Sequence, residues 1–325
     1  MGIIEAEGLV KQFGSFTAVD SVSFTVHTGE VVAILGANGA GKTTTMRMLT
    51  GYFQPTAGTV QIAGHDILKD AFRAQEKIGY LPETPPLYPE MTVSAFLEFV
   101  ARLRGAARGQ ARVLAANAME RCQLSDRKDW VIGQMSRGYR QRVGLAQAIV
   151  TEPQVLILDE PTAGLDPEQI LMVRSLIVEL ARDRTVLFST HVLAEAEKVC
   201  SRAIILKQGK IVADETIPSL LDSRGQVDQV QLEVHGPRED VVRTLHAVPG
   251  VKDVTIAPEP ADGAARKVPR PPIDSLRLEV AAYRSPTLVN ELSAAVTRGG
   301  WPVDRIGYRR KSLEEVYLKL VASSE

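Results

Sequence analysis

Cysteine is nearly missing from this chain: Cys122 and Cys200 are the only two among 325 residues. They stand alone, without the C-x-x-C spacing of a metal or redox site, so a disulfide framework and a zinc ribbon are excluded. They read as reduced structural cysteines of a cytosolic protein. An excess of either charge is also missing. Lys and Arg number 38 against 39 Asp and Glu, a formal net charge of −1, and this balance argues against nucleic acid as a main partner. No apolar run approaches the ~20 residues that cross a bilayer. The opening "MGIIEAEGLV" lacks the charged-then-apolar layout of a signal peptide, and no Ser or Thr stands where a myristoylation signal needs one. No internal repeat is visible. What remains, 45% hydrophobic and 24% charged residues, is ordinary globular composition, enough for a large core and a smaller second domain.

Periodicity divides the chain. Through about residue 222, short apolar β-branched runs alternate with helical stretches. "VVAIL", "VLILD" and "TVLFST" read as buried parallel strands of an α/β sheet. Between about 84 and 150 strand signals vanish, and "TVSAFLEFVARLRG" and "RVLAANAMERCQL" carry helical spacing, so a helical insert is expected there. After "LLDSRGQ" the style changes. Residues 223–325 read strand, helix, strand, strand, helix, strand, a small split βαβ layout of ferredoxin-like α+β type, with "SLEE" (Ser312–Glu315) as a capping box for a last helix. Within it "APEPADGAARKVPRPP" holds five prolines in sixteen residues and is expected to be an exposed loop.

Three motifs carry chemistry. "GANGAGKT" follows the strand "VVAIL" and opens a helix, the context that a phosphate-binding loop requires. Its glycines let successive backbone N–H groups turn inward onto phosphate. The ATP-binding set is Gly36, Ala37, Asn38, Gly39, Ala40, Gly41, Lys42, Thr43 and Thr44, with Lys42 reaching the β- and γ-phosphates and the Thr43 hydroxyl suited to Mg²⁺. "VLILDEPTAGLDP" carries Asp159 and Glu160 to the end of a buried strand, where open α/β sheets bind ligands. Asp159 suits Mg²⁺, directly or through water; Glu160 suits orienting or deprotonating the attacking water. "TVLFSTH" places His191 at the same edge, within reach of a γ-phosphate. His27, His65, His235 and His246 carry only packing or surface readings. Phe13 either stacks on adenine or fills core. "MSRGYRQR" poses a question: Ser136 is a good helix N-cap, yet Arg137, Arg140 and Arg142 crowd a helix end that already favours anions.

The order of these motifs, with "IGYLPE" before "MSRGYRQR", resembles the ATP-binding subunit of an ABC transporter. The resemblance is strong over residues ~1–220. "PLYPEMTV", "SRGYRQRVGLAQA" and "SLEEVYLKL" are similar to a branch serving gliding motility, sodium extrusion, drug export and copper-enzyme maturation. It implies a P-loop NTPase fold and ATP hydrolysis. It implies that Ser136, Arg137 and Gly138 form the signature that meets the γ-phosphate of ATP held by a second subunit, with Met135, Arg137 and Tyr139 departing from the usual "LSGGQ". It implies that Asp166 lies across the dimer seam, and that Glu83 stands where the family usually has a Gln contacting Mg²⁺ and water. The expected assembly is two such subunits, a homodimer, driving a separate integral membrane permease from the cytoplasmic face of the inner membrane. A non-transport ABC ATPase acting on ribosomes or DNA is the alternative; a P-loop kinase leaves the signature and His191 unexplained.

Overall fold

The computed structural model describes residues 2–222, 227–256, 275–309 and 312–322. The chain forms two compact units, Met1–Leu220 with Leu313–Glu325, and Leu221–Ser312.

The first unit opens with a hairpin of β1 (Ile4–Phe13) and β2 (Phe16–Val26). Buried β3 (Val31–Leu35) leads through a loop into α1 (Lys42–Leu49). β4 (Ala57–Ile62) and β5 (His65–Asp66) complete an antiparallel sheet of order β2-β1-β4-β5. α2 (Ala71–Glu76) and β6 (Ile78–Leu81) precede the helical insert, α3 (Val93–Leu103), α4 (Arg108–Arg121) and α5 (Arg137–Ile149). β7 (Val155–Asp159), α6 (Pro167–Leu180), β8 (Thr185–Thr190), α7 (Leu193–Val199), β9 (Arg202–Lys207), β10 (Lys210–Thr216) and α8 (Ile217–Leu221) follow. The second sheet has the order β10-β9-β3-β8-β7-β6, parallel throughout except for the β9–β10 hairpin.

Every residue of β7 and β8 is buried, which is why these strands are continuous apolar runs rather than alternating ones. Ile34, Ile157 and Leu187 of the parallel sheet share one core with Met46 and Leu49 of α1 and with Ile4 and Val60 of the antiparallel sheet. Each such side chain contributes about 1.5–3 kcal/mol by leaving water. That core fixes the strand register, and the register carries the polar residues at the strand ends.

The second unit contains β11 (Val227–His235), α9 (Arg238–His246), β12 (Val251–Ile256), β13 (Ser275–Tyr283), α10 (Leu288–Arg298) and β14 (Val303–Tyr308). Its strands are antiparallel in the order β12-β13-β11-β14, the ferredoxin-like arrangement expected. Val230, Leu232, Leu278 and Val280 meet Val241, Leu245, Leu292 and Val296 of the helices in a core of its own. The proline-rich stretch expected to form a loop lies outside the described residues.

One expected boundary is corrected. Residues 223–325 are not one unit, because the last helix, α11 (Leu313–Ala322), belongs to the first. Leu313 is fully buried and Val316 nearly so. α11 packs on α7 and β10, and the Leu313 N–H donates to Glu197 Oε2 at 3.4 Å. α9 and α10 already supply the helical half of the second unit's core, so the apolar stripe of α11 finds its cover elsewhere. The start of the second unit falls at Leu221 rather than 223.

Candidate functional site

Register brings the charged motifs to one sheet edge. Leu35 pairs with Thr190 and Asp159 with Ser189. The phosphate loop, the Asp159-Glu160 pair and His191 therefore leave adjacent strands at the same, C-terminal end. The loop closes tightly against the β1–β2 hairpin: at Gly41, φ is 103°, and an added Cβ would lie 2.7 Å from the Ala18 carbonyl oxygen. Only glycine fits there.

A cleft of about 280 Å³ opens over this edge. Asn38, Gly39, Gly41, Lys42, Thr43 and Thr44 line it with Phe16, Ala18, Glu83, Glu160, Ala163 and His191. Gly36, Ala37 and Ala40 are not among the lining residues. Lys42 Nζ donates to the carbonyls of Gly36 (2.8 Å) and Ala37 (3.3 Å) and lies 3.2 Å from Glu160 Oε1. The other Glu160 oxygen, Oε2, is 2.8 Å from His191 Nδ1. Glu160 is thus a buried carboxylate held between a cation and an imidazole. Its backbone is left-handed, with φ 47°, a conformation costing about 1–3 kcal/mol for a non-glycine residue. The Ser189 hydroxyl, accepting from the Glu160 N–H at 2.9 Å, helps to hold it.

Asp159 Oδ1 accepts from Thr43 Oγ1 (3.1 Å) and from Ser189 Oγ (2.6 Å). Burial pushes the Asp159 pKa above the ordinary carboxylate value. The two hydroxyl hydrogen bonds oppose the shift, and the Glu160 and Glu83 charges add to it. Asp159 Oδ2 is buried and has no hydrogen-bond partner. A partnerless carboxylate oxygen beside a hydroxyl on a phosphate loop fits Mg²⁺, a hard cation that takes one or two protein oxygens and fills its other positions from phosphate and water. Among the described residues no cluster of three or more His, Cys, Asp or Glu gathers to hold a metal, and Mg²⁺ bound in this way needs none.

The signature residues stand apart from the cleft of their own chain. Ser136 caps α5, its hydroxyl accepting from the Tyr139 N–H at 3.4 Å. Gly138 lines a second hollow with Asp166, Gln169 and Arg142. A Cβ at Gly138 would meet the Gln169 side chain at 2.4 Å, so α5 and α6 touch there. The Arg137 guanidinium packs over Gly164. Arg142 stacks on Tyr139 at 4.2 Å, and the Arg140 guanidinium bonds the Met135 carbonyl. Asp166 caps α6 by accepting from the Gln169 N–H.

Residues 19–163 match the family described as ABC transporter. Over 319 residues, 98% of this chain and 99% of the relative, the chain is 36% identical to the uncharacterized ABC transporter ATP-binding protein YxlF of Bacillus subtilis. It is 37% identical to Nod factor export ATP-binding protein I of Burkholderia orbicola, over 74% of this chain and 79% of the other. The chain belongs to the ABC transporter ATP-binding family. As an ABC ATPase it binds ATP and hydrolyses it to ADP and phosphate. Among solved structures, cbiO1 of Clostridium perfringens, part of the transporter complex cbiONQ, matches with a TM-score of 0.61 at 29% identity, covering 66% of this chain and 88% of that one.

Within this ABC ATPase, Phe16 was missed at the sequence level, and Phe13 was read as stacking on adenine or filling core. Phe13 does not line the cleft; it meets Phe53 edge-on at 5.5 Å and carries Lys11 over its face at 5.2 Å. Phe16 pairs with it across the hairpin and does line the cleft. Ser189 was missed as well, although a buried serine directly after the apolar run "VLF", two residues before His191, is a signal that the strand end has a polar task.

Proposed function

We propose that this chain is the motor subunit of an export-type ABC transporter, in which two copies close over two ATP-Mg²⁺ and pass the closing motion to a separate membrane permease. The observation that carries the catalytic part is Glu160, held between Lys42 and His191 on the edge beside Asp159. Lys42 gives up Glu160 for the β- and γ-phosphates when ATP enters, which frees the carboxylate. Glu160 then orients and deprotonates the attacking water, and His191, bonded through Nδ1, holds Glu160 and contacts the γ-phosphate. Thr43 and Asp159 would hold the metal, with Glu83 facing the same cleft; bound Mg²⁺ screens the phosphate charge. The base rests on the end of the β1–β2 hairpin, where Phe13 and Phe16 stand opposite each other. Replacing both by Ala is expected to raise the Kd for ATP about tenfold or more, since stacking on a base is worth about 1–3 kcal/mol. A fluorescent-ATP titration of the two single variants and the double apportions the effect, and an unchanged double variant would remove this hairpin from the nucleotide site.

Dimerisation is supported by the separation of Ser136, Arg137 and Gly138 from their own cleft. Export is supported by the Nod factor export relatives, and a permease partner by the cbiONQ complex to which cbiO1 belongs. No helix among the described residues is long and apolar enough to cross a membrane. In this reading the motor works from the cytoplasmic face, docked to the permease through the helical insert. The test is co-expression with any multi-spanning membrane protein that a neighbouring gene encodes. The two should co-purify in detergent, and the complex should hydrolyse ATP at a rate that responds to transported compounds. Failure to co-purify with any neighbouring membrane protein, alongside association with ribosomes, would favour the non-transport alternative.

A further inference from the structure

The last helix reaches the phosphate loop. The Ala37 N–H donates to the Tyr317 hydroxyl at 2.9 Å, across 280 residues of sequence. Ala37 is one of the loop residues that do not line the cleft, so the Tyr317 hydroxyl holds the loop at a residue outside the cleft lining. The same residue's carbonyl accepts from Lys42 Nζ. Ala37 is therefore held at its N–H by α11, while its carbonyl is shared between the Ala40 N–H at 3.1 Å and Lys42 Nζ at 3.3 Å, the lysine that meets the phosphates. At its start α11 is fastened to α7, the helix that follows His191 in sequence: the Leu313 N–H donates to Glu197, and α7 also bears Glu195, whose carboxylate accepts from Thr162 just beyond Glu160.

We infer that Tyr317 is a positioning residue for ATP binding: it sets the outer turn of the phosphate loop, and through Ala37 the place of Lys42. This rests on Gly36–Thr44 being the ATP loop. The chain enters α11 directly from the second unit, which lies between α8 and α11 in sequence. Undocking of α11 lowers ATP affinity, and bound nucleotide favours docking by the same factor.

The test uses the full-length chain with Tyr317→Phe, which deletes the hydroxyl and keeps the ring. The Kd for the non-hydrolysable analogue AMP-PNP and the KM for ATP should rise about three- to tenfold, the value of one neutral hydrogen bond, while kcat and the melting temperature stay unchanged. AMP-PNP should slow hydrogen exchange at α11 amides in the parent and do so less in the variant. Unchanged affinity in Tyr317→Phe overturns the inference, as does a lower kcat at unchanged KM, or a lower melting temperature without a change in KM. Lys42→Ala is the control: if it too binds AMP-PNP like the parent, the loop assignment itself has failed, whereas loss in Lys42→Ala alone condemns only the role of Tyr317.

Discussion

Glu160→Gln is expected to bind ATP about as tightly as the parent and to hydrolyse it about 10²–10⁴-fold more slowly, the usual cost of losing a general base. Glutamine keeps the shape of the side chain and an oxygen for orienting water, but it cannot take a proton. Affinity should not fall, because the lost Lys42–Glu160 ion pair, 3.2 Å long, is one that phosphate replaces; removing a negative charge beside a triphosphate favours binding. His191→Ala should slow turnover as well, since its Nδ1 bonds the same carboxylate at 2.8 Å. The double variant should be little worse than Glu160→Gln alone, because residues acting as one unit are not additive. Phosphate release and a nucleotide titration, run on the same preparations, separate rate from affinity. Near-parental turnover in Glu160→Gln would mean that another group activates the water.

The cleft was legible because its chemistry is written locally. A glycine loop after an apolar strand, two acids at the end of "VLILD", and a histidine after "TVLFST" each announce themselves within a dozen residues. Parallel strands then bring their ends together whatever the details. The ferredoxin-like order of the second unit was legible for the same reason, since turn signals and alternation mark each element. What escaped depends on contacts between distant segments. The periodicity of "SLEEVYLKL" says that α11 buries one face, not that the face is covered by α7 and β10. Nothing near Tyr317 in sequence points to Ala37. Phe13 and Phe16 sit on one hairpin, and which ring meets the cleft turns on strand twist and on Phe53, which arrives from beyond α1.

The arginines at the start of α5 raise the question of which anion that helix end meets, and mixed dimers answer it. Ser136→Arg should block the signature and Lys42→Ala the loop, each in the Glu160→Gln background so that trapped nucleotide is not consumed. Alone, each variant places a lesion in both composite sites and should occlude no ATP. In a mixed dimer the lesions fall unevenly. One site receives both, and the other combines an intact loop with an intact signature from the partner. That single site should retain ATP through rapid gel filtration, up to one nucleotide per mixed dimer. The expectation follows from placement: Ser136 caps α5 with its hydroxyl, and Gly138 opens on a hollow with Asp166 that is separate from the cleft lined by Lys42 and Glu160. Several charge-assisted hydrogen bonds, each worth about 1.5–3 kcal/mol, then join two subunits through the γ-phosphate, so losing them on both sides should abolish closure rather than weaken it. Occlusion by Ser136→Arg alone at the parental level would show that the α5 N-terminus does not touch phosphate. A mixture that occludes no more than its components, after subunit exchange has been demonstrated, would place the signature's action within its own chain.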